Sequence, residues 1–150
     1  MLHVHDVLAL KGNVIYSIDP DQMLKEGIRL LVVNDVGSLL VVKDGILLGL
    51  LTFREVLSAM NRYENSADVT VRECMVTNIY VVSPSDLISH VSHELLIRKV
   101  RYVPVVDKNM IHGVISFHDI QKAESEERHF ENQLLKRYIR DWPEEAAANS

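Results

Sequence analysis

Apolar residues recur along this chain in two registers. Leu87, Ile88, Val91, Leu95 and Leu96 are spaced three and four apart, the period of one face of a helix. Elsewhere they crowd into short runs over 38–42, 46–52, 102–106 and 110–116, the aliphatic, β-branched chemistry of strands. Lys43-Asp44-Gly45 and Asp107-Lys108-Asn109 join these runs in pairs and read as hairpin turns. Short extended pieces over 14–18 and 79–82 lead into Asp19-Pro20-Asp21 and Ser83-Pro84-Ser85. Each reads as a helix start, a capping side chain followed by a proline whose missing N–H is not needed in the first turn. These helices are expected to run to about Asn34 and Lys99, and second helices start at Phe53 and Phe117.

The order of elements is the same twice, because the sequence repeats. Shifted by 64 positions, residues 15–57 meet 79–121 without a gap and with nine identities in 43 positions, where chance gives about 3. Ile15-Tyr16 falls on Ile79-Tyr80, Pro20 on Pro84, Leu31 on Leu95, Gly49 on Gly113 and Phe53 on Phe117. One copy alone is too small for a secure core. The expected fold is therefore α+β: two βαββα repeats packed sheet to sheet with pseudo-two-fold symmetry, leaving two equivalent clefts, plus a C-terminal helix. The boundaries are 1–66 for the first repeat with its N-terminal helix, 67–123 for the second, 124–142 for an amphipathic helix and 143–150 for a frayed tail. A short helix within 69–75 leads into the second copy, and 2–10 is its counterpart before the first.

Composition narrows the class. With 47% hydrophobic and 25% charged residues, the chain is an ordinary globular one. A net charge of −5 argues against nucleic acid as a partner. No run approaches a membrane span, no signal peptide is evident at the N-terminus, and Cys74 is the lone cysteine, so the expected location is the cytoplasm.

The candidate chemistry lies where each second strand turns into a helix. Copy one has Gly49-Leu50-Leu51-Thr52-Phe53-Arg54-Glu55 and copy two Gly113-Val114-Ile115-Ser116-Phe117-His118-Asp119. Hydroxyl and acid three apart form a capping box, which needs no ligand. The same spacing at a cleft mouth presents free N–H groups and a helix dipole to an anion, and a short acid can accept both hydroxyls of a ribose. Aspartate suits a vicinal diol and glutamate suits the box, so Asp119 marks the better cleft. The glycine lets backbone approach a flat base.

The repeated unit, with Pro20 and Pro84, the Val103-Pro104-Val105-Val106-Asp107 strand and the Gly-x-x-[Ser/Thr]-x-x-[Asp/Glu] end, resembles a CBS domain, and two in tandem resemble a CBS pair, or Bateman module, over about 4–122. The resemblance implies a regulatory protein, not an enzyme, that binds AMP, ADP, ATP or NAD between its repeats. It implies ribose contacts from Ser116 and Asp119, a base pocket from Thr77, Asn78, Ile79 and Tyr80 with Val103 and Pro104 opposite, and phosphate contacts from His118, Arg101, Lys99 and Arg54. A second site maps to Asn13, Val14, Ile15, Thr52 and Glu55. There Glu55 departs from the usual Asp, and Leu40 stands where Pro104 does.

Two features remain. His90 and His93 supply only two of the four donors a structural metal takes, so they read as a solvated helix face and no metal is expected. Phe130, Leu134, Leu135, Tyr138 and Ile139 form an apolar stripe that must be covered. Either it folds back on its own domain or it packs on a partner chain; the resemblance favours a homodimer, since CBS pairs commonly form disc-like dimers. The rival to nucleotide sensing is a protein-interaction domain that keeps the fold with vacant clefts.

Overall fold

A computed structural model describes residues 1–12 and 14–141, except for the side chain of Ala67. The expectations for Asn13, for a helix stop after Trp142 and for a frayed tail lie outside the described residues. The elements run α1 (Val4–Lys11), β1 (Ser17–Ile18), α2 (Leu24–Val33), β2 (Ser38–Lys43), β3 (Ile46–Thr52), α3 (Phe53–Arg62), a 3₁₀ turn (Ser66–Asp68), α4 (Val71–Cys74), α5 (Ile88–Arg98), β4 (Tyr102–Asp107), β5 (Met110–Ser116) and α6 (Phe117–Arg140). The molecule is α+β and built twice.

The two sheets share one design. β2 and β3 are antiparallel, as are β4 and β5, and each pair slips register at the same place, between Val41 and Val42 and between Val105 and Val106. The turn residues Asp44, Gly45, Lys108 and Asn109 all have positive φ, the handedness a tight hairpin needs. β1 adds a parallel third strand to β2. In copy two that strand shrinks to one bridge, Val82 to Val105.

Side-chain alternation splits each sheet between two environments. Leu39, Val41 and Leu51 face α2 and α3 in one core, and Val103, Val105 and Ile115 face α5 and α6 in the other. The cross-strand pair Leu40–Leu50 is buried but belongs to neither core. Its equivalent is Pro104–Val114. Burial of Leu40 and Leu50 outside either core is what packing of the two sheets against each other requires. At their margin Gly37 leaves room for Tyr102, whose hydroxyl would sit 1.8 Å from a Cβ there.

The helices that precede each copy are exchanged. α1 precedes copy one but sends Val4 and Val7 into the core of copy two. α4 precedes copy two but sends Val71 and Cys74 into the core of copy one. Matching backbone bonds hold both: Val4 and His5 N–H donate to the Asp86 and Pro84 carbonyls, and Val71 and Arg72 N–H to those of Gln22 and Pro20. The interval from Val4 to Val71 is three residues longer than the 64 between the repeats. The two exchanged segments therefore fall outside the register in which the copies align.

This exchange corrects the expected helix starts. Asp19-Pro20 and Ser83-Pro84 do not open helices; α2 and α5 begin later, at Leu24 and Ile88. The Asp19 side chain instead holds the Asp21 N–H at 2.8 Å, and Asp86 holds that of Ser83 at 2.9 Å. Residues 19–22 and 83–86 close turns instead of helices, and the Pro20, Gln22, Pro84 and Asp86 carbonyls accept from the exchanged segments. Leu87 and Leu96, placed on the buried face by spacing, are exposed. No break separates copy two from the C-terminal helix: α6 is one helix across the expected boundary at 123–124. Ile120 and Ala123 are its buried residues, and from Arg128 to Arg140 it is exposed throughout. Phe130 is 61% and Ile139 65% exposed.

Candidate functional site

Both expected capping boxes form. Ser116 is the N-cap of α6: its Oγ accepts from the Asp119 N–H at 3.0 Å, and Asp119 Oδ2 accepts from the Ser116 N–H at 2.8 Å. In copy one the Thr52 N–H donates to Glu55 Oε2 at 2.9 Å, the Thr52 hydroxyl donates to the same oxygen, and the Arg54 N–H reaches Thr52 Oγ1 at 3.2 Å. The aspartate closes the box as well as the glutamate does, so the box alone does not tell the two copies apart.

The neighbours do. Lys11, at the end of α1, donates from Nζ to Asp119 Oδ2 at 2.8 Å and to the Val114 carbonyl at 2.9 Å. The equivalent carbonyl in copy one, that of Leu50, accepts instead from the Val76 backbone N–H at 3.0 Å. Copy two is thus faced by a side chain where copy one is faced by backbone. In each case the facing segment is the one that enters the other copy. Lys11 was not singled out from the sequence. It lies 108 residues from its partner, and nothing local in an exposed helix-ending lysine signals that contact.

Burial pushes the Asp119 carboxyl up. The Lys11 ammonium and the Ser116 amide outweigh that and hold it below its ordinary value. An acid with a depressed folded-state pKa adds stability that is present above the ordinary carboxylate range and lost as pH falls below it. Thermal melts of wild type and Asp119→Asn should therefore differ near neutral pH and converge below about pH 4. A gap that widens on acidification would contradict this balance of contacts.

Beside Ser116 opens a cavity of about 650 Å³ between the end of α5 and the start of α6, lined among others by Lys99, Arg101, Tyr102, Ser116, Phe117 and His118. It gathers the three expected phosphate contacts of copy two with the expected hydroxyl. The backbone is shaped for it: Lys99 ends α5 in the left-handed conformation, and the Arg101 carbonyl accepts from the Phe117 N–H. The other expected residues lie apart from it. Thr77 and Asn78 are exposed, and Ile79 is half-buried. Tyr80 packs against the core of copy two with Arg98 over its ring at 4.5 Å. Val103 is fully buried in that core and Pro104 turns to the other sheet face. In copy one Val14, Ile15 and Arg54 are exposed.

Cys74 is buried in the core of copy one, and burial pushes its thiol up, as suits a packing residue. His90 and His93 are exposed. Among the described residues the group with metal-ligand spacing is another one, His3, His5 and Asp6. Its geometry has a local cause: Asp6 caps α1 by accepting from the His3 N–H at 2.8 Å. Among the described residues no helix is long and apolar enough to cross a membrane.

The doubled βαββα unit, with a capping box at the head of each closing helix, defines a tandem repeat of the kind that regulatory modules use. The CBS domain family model matches the chain twice, over residues 4–62 and 71–126, and the chain belongs to that family. It is 26% identical over 104 residues to the CBS domain-containing protein YhcV of Bacillus subtilis, covering 69% of this chain and 74% of that one. Its fold matches the CBS-domain containing protein ATU1752 from Agrobacterium tumefaciens with a TM-score of 0.79, 26% identity and coverage of 82% and 99%. It also matches the CBS domain pair of protein MJ0100, solved in complex with 5′-methylthioadenosine and S-adenosyl-L-methionine, with a TM-score of 0.75, 20% identity and coverage of 85% and 98%. Proteins of this family are generally regulatory rather than catalytic.

Proposed function

We propose that this chain is a cytoplasmic regulatory module that binds an adenine nucleotide, AMP foremost, at the Asp119 cleft and passes its occupancy to a partner protein. The observation that carries the reading is the placement of a half-buried acid and hydroxyl at the head of α6, next to a cavity bearing Lys99, Arg101 and His118. A diol fits the first pair and a phosphate the second group. ADP, ATP and NAD present the same two handles. The adenosine ligands of MJ0100 support the class of ligand.

The exchanged helices support a different set of base contacts from the one the resemblance implies. Lys11, a few positions before Val14 and Ile15 in the sequence, bonds Asp119, while Met75 and Val76, just before Thr77 and Asn78, lie against Gly49. In this reading Val14 and Ile15 are the base contacts of the Asp119 cleft, and Thr77 and Asn78 those of the Glu55 cleft.

The oligomeric partner is a second copy. Phe130, Leu134 and Leu135 stand exposed on α6, and the helix carries Glu124, Glu126, Glu127 and Glu131 before Lys136, Arg137 and Arg140. Antiparallel pairing of two such helices covers the stripe and sets acidic halves against basic ones.

One observation favours a second reading, a pure interaction domain: Asp119 and Glu55 already have protein partners. Thermal melts with AMP, ADP, ATP and NAD separate the two. A specific site at 100 times Kd adds roughly 2.7 kcal/mol, and Asp119→Ala should abolish the shift. If no nucleotide raises the wild-type Tm at millimolar concentration, the interaction domain is the correct reading. Sedimentation of the same samples should show a dimer; a monomer throughout removes the second copy.

A further inference from the structure

Building on the Asp119 reading, we propose that Lys11 is the specificity-determining cation of that cleft: it holds the place of a ligand's diol, and a nucleoside is admitted on favourable terms only if it brings an anion for the displaced ammonium. Asp119 Oδ2 already accepts from the Ser116 N–H and from Lys11 Nζ, both at 2.8 Å. A ribose diol approaching that carboxylate meets Lys11 first.

The comparison between copies shows that this occupant can leave. In copy one the equivalent carbonyl is tied by a reciprocal backbone pair, Val76 N–H to Leu50 and Leu50 N–H to Val76, each 3.0 Å. That closure moves only if the chain moves. In copy two the closure is one lysine side chain, 33% exposed and joined to α1 by a flexible four-carbon stem. Rotation of that stem clears Asp119 and leaves Val4 and Val7 seated in the core.

The released ammonium has lost a carboxylate. A phosphate ester on the ligand replaces it with a charge-assisted bond, whereas a bare nucleoside offers nothing. The other basic side chains near the site, Lys99, Arg101 and His118, line the adjoining cavity, whereas the side chain that bonds the Asp119 carboxylate is Lys11. Lys11 thus sets the preference for a phosphorylated ligand at the acid itself, separately from them.

Titration calorimetry of wild type, Lys11→Met and Lys11→Arg with adenosine and with AMP tests this. Removing the competing ammonium should tighten adenosine about tenfold and reduce the preference for AMP over adenosine by at least as much. Lys11→Arg should keep the preference. If the Met variant melts early, Lys11→Gln, which keeps a donor for the Val114 carbonyl without the charge, gives the same readout. An adenosine Kd that is unchanged or weaker without the lysine overturns the inference while leaving the Asp119 site in place. Wild-type protein that binds neither ligand overturns the site itself, and the role of Lys11 with it.

Discussion

Replacing Val4 and Val7 together by alanine should cost about 3–5 kcal/mol, and the loss should appear in the second repeat, at the far end of the sequence. Both side chains are essentially fully buried, 0% and 1% exposed, in a cluster with Val91, Val103 and Ile115. They enter that core from a helix that the chain makes before it has built either repeat. Each truncation removes apolar contact and leaves a gap that the sheet cannot collapse to fill. The loss is a large share of the roughly 5–15 kcal/mol that keeps a domain folded. Denaturant melts measure the total, and hydrogen exchange locates it. Protection should fall first in β4 and β5 and last in β2 and β3. If β2 and β3 lose protection first, α1 serves its own repeat and the exchange of helices is wrong. Leu10→Ala, at an exposed site on the same helix, should be near neutral.

What the sequence revealed depended on the range of the interaction involved. The hairpins were legible because their signals are local: Asp44, Gly45 and Asn109 are residue types that tolerate positive φ, and all three adopt it, with Lys108 carried along in the second turn. The capping boxes were legible for the same reason, since Ser116 and Asp119 are three apart and need no third party. The repeat was legible because both copies must satisfy the same burial pattern. The helix starts were misread because Pro20 and Pro84 obey a local rule that a distant strand-like contact overrides. The role of Lys11 was invisible for a stronger reason. Its partner lies in the other repeat, and its counterpart in copy one is a backbone amide, so no side-chain comparison between copies could point to it. The extent of the candidate site follows the same division: the acid and the hydroxyl were readable, the residues facing them were not.

Gly49 shows how the shared motif serves different ends in the two copies. In the sequence its smallness suggests room for a ligand base. In the structure that room is already occupied, because a Cβ on Gly49 would lie 2.5 Å from the Val76 carbonyl oxygen and 3.1 Å from Met75 Sδ. The oxygen is backbone, and the Val76–Leu50 hydrogen bonds hold it in place. Gly49→Ala must therefore push the connector off β3 and break that pairing, at about 2–3 kcal/mol. The loss should be accompanied by exchange at the Val76 and Leu50 amides. Gly45 provides the contrast. It has open space around it but a φ of +78, so it is kept for conformation rather than room. The position 64 residues later is Asn109, which adopts φ +62 in the same turn. Gly45→Asn should then cost a few tenths of a kcal/mol, while asparagine at Gly49 should cost more than alanine does. Equal costs at the two glycines would mean that the connector yields to a methyl group. Copy one would then be closed by a contact as movable as the lysine that closes copy two.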